Sequence, residues 1–287
     1  MQAYDRKAQR LIETAEPGGA SVRFLYGNPL GRQLLKAITG KRFSDSRAKY
    51  YASPRSQKKV AAFFREYPQA CEGLRATDYP SFRDFFIREP DPADRPLPEE
   101  EGALVAVADS KLLVYTIAPG TVLPVKQSNL TAGQLLGDRT YAALFAGGYA
   151  LVFRLTMENN HHYVFPDSGT VLREYEIRGK LHSVQPITGR QGKVFTENTR
   201  QVSLLDTAHL GLVAQAEVGA LLAGRMVSHG KREFRRGEEK GYFDLGGSAI
   251  VLLVQKGRVA IDEDILGQSA QGIETLVRMN ERVGVAI

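Results

Sequence analysis

One cysteine, Cys71, is all that 287 residues contain, which excludes an internal disulfide and any zinc site built on cysteine. It falls in a helix-like stretch with no histidine beside it and reads as a passive core thiol. No run of about 18 apolar residues occurs, so no segment is expected to cross a bilayer as a helix. Met1 to Ala20 has no apolar core of the kind a signal peptide carries, and an intracellular location is expected. Phosphate-binding glycine loops, dinucleotide fingerprints and zinc-protease motifs are also missing. Gly147-Gly148 and Gly246-Gly247 lack the spacing that such loops need. Internal repeats and low-complexity tracts are absent.

What is present suits an ordered globular protein: 43% of residues are hydrophobic and 24% charged, enough of each to build a sizeable core and a solvated surface. The formal charge of +6 is unevenly spread. Met1 to Val60 holds 13 Lys and Arg against 4 Asp and Glu, and the remainder is slightly acidic. Such a bias fits an anionic partner, membrane lipid or nucleic acid, and equally a solvated basic helix face.

Apolar residues recur at helical spacing from Ser21 to Tyr67, with Leu30, Leu34, Leu35 and Ile38 set among Arg32, Lys36, Lys41 and Arg42. A second helical stretch holds Val60, Ala61, Phe63 and Phe64. A third follows Ser81, with Asp84 three residues on completing a capping pattern ahead of Phe85 and Phe86. The run from Pro90 to Pro98 contains four prolines and cannot continue a helix. It divides a basic helical region, 1–89, from residues 90–287, where β-branched and aromatic runs alternate with Gly, Pro, Asn and Asp. Strands are expected at Leu104–Val107, Leu112–Ile117, Ala150–Leu155, Gly169–Ile177, Val202–Asp206, Leu210–Val218 and Ala249–Gln255. The tail from Ile261 to Ile287 returns to a helical pattern, with Ile273, Leu276 and Val277 on one stripe. The expected fold class is α+β: a helical N-terminal region, then a mainly antiparallel β-rich domain with a C-terminal helix.

Three polar points stand out within the β-rich part. Ser248 follows Gly246-Gly247, whose backbone freedom lets a serine hydroxyl approach the preceding carbonyl carbon. That geometry permits an N-to-O acyl shift and then β-elimination, which leaves a ketone at residue 248 without any bound cofactor. A plain Gly-Gly-Ser turn is the bland alternative. His161 and His162 sit where a strand gives way to a turn and can exchange protons near neutrality. Adjacent residues on an extended chain face opposite ways, so only one of them should look into a given site. Each alone reads equally as a hydrogen-bonded structural histidine. Asp109, at the end of Val105-Ala106-Val107-Ala108, is a turn-forming carboxylate or a group that orients a histidine.

In order and spacing, these points and several flanking blocks resemble the phosphatidylserine decarboxylase family from about Tyr26 to Leu253. Ser81-Phe82-Arg83-Asp84-Phe85-Phe86-Ile87-Arg88 with Arg95-Pro96 is similar to its Ser-Phe-x-x-Phe-Phe-x-Arg stretch, and Val107-Ala108-Asp109-Ser110 to its Pro-Ala-Asp-Gly/Ser strand end. Val125-Lys126-Gln127, Phe195 to Arg200, Val218-Gly219-Ala220 and Arg236 to Phe243 resemble further blocks, and Gly247-Ser248 stands at the family's Leu-Gly-Ser-Thr cleavage point.

The resemblance implies a proenzyme that cuts itself between Gly247 and Ser248 into chains 1–247 and 248–287. Ser248 then becomes the pyruvoyl group that decarboxylates phosphatidylserine to phosphatidylethanolamine. It implies Asp109, His161 and Ser248 as catalytic residues, Asn198 and Arg200 on the lipid phosphate, no metal, and peripheral attachment to the cytoplasmic side of an anionic membrane. The resemblance also implies that the two chains stay together and pair as a homodimer in the manner of relatives, and nucleic acid is not expected as a partner. Departures are Val164 at the second histidine of the family's His-x-x-His pattern, Ala249 after the serine, and Thr199 in place of a glutamate. With Val164 there, the base role goes to His161 and His162 is held in reserve. Competing readings are a relative acting on another phosphoserine-like substrate, a Ser-His-Asp hydrolase, and a non-enzymatic β-rich membrane-binding module. A hydrolase serine normally occupies a strand-to-helix elbow, whereas a strand-like run follows Ser248.

Overall fold

The structure is a computed structural model that describes residues 2–14, 41–118, 123–125, 128–178, 199–219, 225–245 and 248–287. Most of the basic N-terminal segment, and the Gly247 and Asn198 positions, lie outside the described residues. In chain order the strands and helices begin with β1 (Gln2–Asp5) and β2 (Arg10–Glu13), then α1 (Lys41–Tyr51), α2 (Gln57–Glu66) and α3 (Phe82–Phe86). Next come β3 (Ala103–Val105), β4 (Ser110–Thr116), β5 (Leu123–Val125), β6 (Ser128–Leu130), α4 (Ala132–Leu136), α5 (Arg139–Ala143), β7 (Tyr149–Leu155), β8 (His162–Val164) and β9 (Gly169–Ile177). The chain finishes with β10 (Arg200–Thr207), β11 (Gly211–Val218), β12 (Arg225–Ser228), β13 (Glu233–Phe234), β14 (Glu239–Asp244), β15 (Ser248–Val254), β16 (Val259–Ile261), α6 (Glu263–Ala270), β17 (Glu274–Val277) and β18 (Arg282–Ala286).

Among the described residues the large sheet has the order β13-β9-β10-β11-β15-β7-β4-β17-β1-β2, antiparallel except where β1 runs parallel to β17. Two three-stranded sheets, β12-β14-β8 and β16-β18-β3, and the two-stranded β5-β6 accompany it. This is the expected α+β class. Strand β15 reads Ser-Ala-Ile-Val-Leu-Leu-Val with no polar alternation, as a strand covered on both faces must. Ile250 and Leu252 enter one core cluster, shared with Phe153, Tyr163 and Phe243. Ala249, Val251 and Leu253 enter a second, which Leu135 and Leu136 of α4 help to cover.

A third cluster is helical. Val60 and Phe63 of α2 meet Phe82, Phe85 and Phe86 of α3, while Lys58, Lys59 and Arg65 stay exposed. Ser81 caps α3 as its sequence suggests, accepting a hydrogen bond from the Asp84 N–H at 3.2 Å. Cys71 is buried in this cluster, and burial pushes its thiol above the ordinary value.

Two sequence expectations are corrected. Of the tail, only Glu263–Ala270 is helical; Leu276 and Val277 lie in β17 and Val283 in β18. The i, i+3, i+4 stripe there fits a helix, but β17 gains ladder partners in β4 and β1, and tertiary pairing overrides so short a pattern. Residues 2–13, grouped by sequence with the basic helical region, form a hairpin on the edge of the large sheet.

Candidate active site

Of the connections that cross between the large sheet and the β12-β14-β8 sheet, two carry the sequence-predicted residues. Residues 156–161 carry β7 into β8, and residues 245–247 carry β14 into β15. Because β15 pairs with β7 and β14 pairs with β8, the strand ends that flank the two crossings lie side by side. Ser248 lies opposite Leu155, Tyr242 lies opposite His162, and the Phe243 N–H donates to the His161 carbonyl at 3.0 Å. Topology thus brings the backbone of residue 248 beside the loop that ends on His161, with His162 opening β8. The registers also align Leu276, Lys111, Arg154, Ala249, Val218 and Arg200 in one row across six strands. Asp109 and Ser248 each stand near that same sheet end.

The two histidines part as their spacing suggests. The His161 ring is fully buried and lies on the Phe86 ring with centroids 4.0 Å apart. His162 has both ring nitrogens engaged, Nδ1 with Glu239 Oε1 at 3.0 Å and Nε2 with the Ile87 carbonyl at 3.0 Å, and it stacks on Tyr242. A carbonyl can only accept, so Nε2 carries a proton. Burial pulls the imidazole down, but Glu239 and the Ile87 carbonyl outweigh it and raise its pKa above the ordinary value. Glu239 also takes His229 Nε2 at 2.8 Å. His162 is therefore a clasp between β8, β14 and the segment after α3. Val164, at the second family histidine position, is buried with its N–H on the Val107 carbonyl.

Asp109 is brought to an arginine. Arg95 grips it with Nε on Oδ1 at 2.9 Å and Nη2 on Oδ2 at 2.7 Å, and the Met279 N–H donates to Oδ1 at 2.9 Å. Among the described residues none of its hydrogen bonds goes to a histidine. It thereby ties the linker before β3 to the turn between β17 and β18. Arg200 is buried in the row described above, with Nε on the Leu135 carbonyl and Nη2 on the Gln134 carbonyl, both at 2.7 Å, at the C-terminal end of α4. Burial draws its guanidinium below the ordinary value.

Sequence reasoning missed several supporting groups. Arg83 forks onto Asp244, with Nε 2.8 Å from Oδ1 and Nη2 3.0 Å from Oδ2, four residues before Ser248. Leu245 is held at φ +68 in the left-handed region, which costs a side-chain-bearing residue about 1–3 kcal/mol. Strain therefore lies just upstream of Gly246-Gly247. Beneath the histidine loop, Lys111 is buried 3.6 Å from Glu158, and Arg154 is paired with buried Glu274 at 2.6 Å. Between the sheets, Lys240 Nζ meets fully buried Glu217 at 2.8 Å. Charged residues at strand positions were the only clue in the sequence, and nothing there names their partners.

The family model for phosphatidylserine decarboxylase matches residues 82–285. The chain belongs to the phosphatidylserine decarboxylase family. Among its relatives, phosphatidylserine decarboxylase proenzyme 2 of Clostridium acetobutylicum is 39% identical over 98% of this chain and 97% of its own length. The proenzyme of Desulfitobacterium hafniense is 31% identical over 98% and 97%, and that of Clostridium novyi 31% over both full lengths. In this member of the family the Ser-Phe-x-x-Phe-Phe-x-Arg block has a visible task. Arg83 holds Asp244, Phe86 covers His161, the Ile87 carbonyl holds His162, and the Arg88 carbonyl takes Asn160 Nδ2 at 2.8 Å. A strand rather than a helix begins at Ser248, which removes the elbow a hydrolase reading needs.

Proposed function

We propose that this chain is a phosphatidylserine decarboxylase proenzyme that cuts itself at Gly247-Ser248 and uses the pyruvoyl group made from Ser248. The observation that carries the reading is the pairing of β15 with β7 and of β14 with β8, which sets the backbone of residue 248 beside the start of the His161 loop. In the cut, the Ser248 hydroxyl attacks the Gly247 carbonyl, the ester replaces the amide, and the nitrogen takes a proton. Loss of the Cα proton breaks the C–O bond and frees Gly247 as a carboxylate. Water then replaces the nitrogen as ammonia and leaves the ketone. Strain at Leu245 and the Arg83 fork on Asp244 hold the upstream arm in place for this step.

The residues present fit such a group. It is built on the skeleton of residue 248 itself, and β15 stays paired with β11 and β7 on both sides when the bond before it opens. Leu155, Val218, Leu245 and Ala249 around it are buried, which favours a dry site. Bound there, the group supplies an electron sink for the pair left when carbon dioxide departs. His161 supplies and removes protons, and its Phe86 contact fixes the ring plane. Asp109, neutralised by Arg95, anchors the C-terminal piece at the strand end. Asn198 and Arg200 are assigned to the lipid headgroup on the family resemblance.

After cleavage the smaller chain, 248–287, contributes β15, β17 and β18 to the interior of two sheets, so the two chains remain one unit. Among the described residues no helix is long and apolar enough to cross a membrane. Docking by the basic N-terminal region on the cytoplasmic face is the proposed attachment, each cation adding roughly 1 kcal/mol at an anionic surface. High salt should therefore strip the protein from anionic vesicles.

The deciding experiment is a denaturing gel with intact mass. Two fragments are expected, the smaller starting at residue 248 with a blocked N-terminus that reacts with borohydride, alongside carbon dioxide release from phosphatidylserine. Ser248→Ala should stay whole. A wild-type chain that remains whole and releases no carbon dioxide refutes the proposal.

A further inference from the structure

The face of the large sheet that carries Ile250 and Leu252 is the one that Tyr163 and Phe243 of the β12-β14-β8 sheet pack against. Alternation along β15 puts position 248 on that same face, and residues directly opposite one another share it. The register then names what surrounds the position: Leu155 opposite it on β7, Ile250 two places along β15, and Phe153 and Glu217 each opposite Ile250. Of these four side chains, only Glu217 can hold a charge or a proton. Diagonal neighbours of this kind have Cα atoms about 7–8 Å apart, within reach of a long side chain. The next β11 position on this face is Gly219, so no β11 side chain stands closer to 248.

Glu217 has no exposed surface. One oxygen takes Lys240 Nζ at 2.8 Å, and the other, Oε2, is buried without a hydrogen-bond partner among the described residues. Glu174 lies 3.8 Å from the same ammonium. Lys240, Glu217 and Glu174 together are therefore one negative charge in excess. Asp109 and Asp244, the other carboxylates at this end, are each filled by an arginine fork. Glu158 also has an unpartnered oxygen, but it lies by Lys111, whose row in the sheet is that of Ala249 and so the opposite face. Burial holds the Glu217 carboxyl above the ordinary carboxylate range, with Lys240 drawing it down in part, which makes it a stronger proton acceptor than an exposed carboxylate.

We propose that Glu217 receives the substrate's ammonium beside residue 248 through its free oxygen and takes one proton from it. The inference rests on the decarboxylase reading and adds to it the group that readies the amine. A serine amine is an ammonium at neutral pH, and a nitrogen without a lone pair cannot bond to a ketone carbon. One proton passes from nitrogen to Oε2, the nitrogen regains its pair and the carboxylate becomes a carboxylic acid; no other bond changes. Lys240 fixes the second oxygen, and the excess negative charge favours a cation entering the cluster. His161 is left to exchange protons with carbon.

Calorimetry on uncleaved protein reads this contact without the ketone. The ligands compared are glycerophosphoserine and the same diester with hydrogen in place of the amine. Ser248→Ala should bind the amine-bearing diester roughly tenfold to a hundredfold tighter. Adding Lys240→Met/Glu217→Leu should bring the two to within about threefold of each other. Ser248→Ala/Glu217→Gln, which keeps the side-chain shape and an acceptor for Lys240, should do the same. A Ser248→Ala parent without the preference, or variants that weaken both diesters equally, overturn the proposal.

With Ser248 in place, Lys240→Met/Glu217→Leu should form its two fragments yet release carbon dioxide about a hundredfold or more slowly. Hydroxylamine is largely unprotonated at neutral pH and needs no base, so it should consume the ketone of wild type and of this variant at equal rates. A variant slowed equally toward hydroxylamine and phosphatidylserine refutes the role. A wild type that neither cleaves nor releases carbon dioxide sinks the decarboxylase reading instead, and the calorimetric comparison still decides Glu217.

Discussion

Replacing Lys240 by methionine removes an ammonium that is 2% exposed and strands Glu217, which has no exposed surface. Their contact is 2.8 Å, Glu174 adds a second carboxylate 3.8 Å from the ammonium, and the other Glu217 oxygen has no hydrogen-bond partner among the described residues. Breaking a buried pair from one side costs about 3–5 kcal/mol, whereas replacing both partners by apolar groups is close to neutral. Lys240→Met should therefore lose about 3–5 kcal/mol at neutral pH, and Lys240→Met/Glu217→Leu should recover to within roughly 1 kcal/mol of the parent.

The pH dependence of that deficit carries a sign. Burial already holds the Glu217 carboxyl above the ordinary carboxylate range, and removing Lys240 raises it further. A carboxyl raised on folding binds more protons folded than unfolded. Its stability is greatest below about pH 4.3 and falls as pH rises through the raised value. The deficit of Lys240→Met should thus be smaller at pH 5 than at pH 8. Urea unfolding followed by circular dichroism, on a Ser248→Ala background that keeps the chain whole, measures it. Lys240 on β14 and Glu217 on β11 join the two sheets between which the crossings run, so Lys240→Met should also slow self-cleavage on a gel and the double variant restore it. A single variant that loses less than about 1 kcal/mol, or a double variant as unstable as the single, refutes the reasoning.

His161→Ala should slow self-cleavage and carbon dioxide release by about a hundredfold to ten-thousandfold, the range for a lost proton-transfer group. His162→Gln should leave both within about tenfold and act on stability instead. Its imidazole is raised on folding by Glu239 and the Ile87 carbonyl against the cost of burial. That contribution is complete below about pH 6.5 and lost as pH rises through the raised value. Thermal unfolding of wild type should drop between pH 6 and pH 9 by more than that of His162→Gln; equal slopes would remove the clasp. Finally, the cleaved chains should co-elute on gel filtration until denaturant is added, since β15, β17 and β18 each lie between two strands of the larger chain or of the shared sheets; early release of 248–287 contradicts that packing.

Much of this was legible in order along the chain. The strand runs, the proline boundary, the Ser81 cap and the serine after two glycines are local signals, set by side-chain shape and backbone freedom within a few residues. The chain therefore specified where strands begin and which residue could become a ketone. It did not specify partners, because a hydrogen bond across 170 residues, from the Met279 N–H to Asp109, leaves no periodicity to read. Asp109 meeting Arg95, the two histidines dividing between a buried ring contact and a clasp, Lys240 finding Glu217, and Leu276 and Val277 joining a sheet instead of continuing a helix were decided by tertiary structure alone. The physical reason is that desolvation and ladder pairing are paid or satisfied only when distant strands come together, and those terms outweigh the few tenths of a kcal/mol that local propensity contributes per residue.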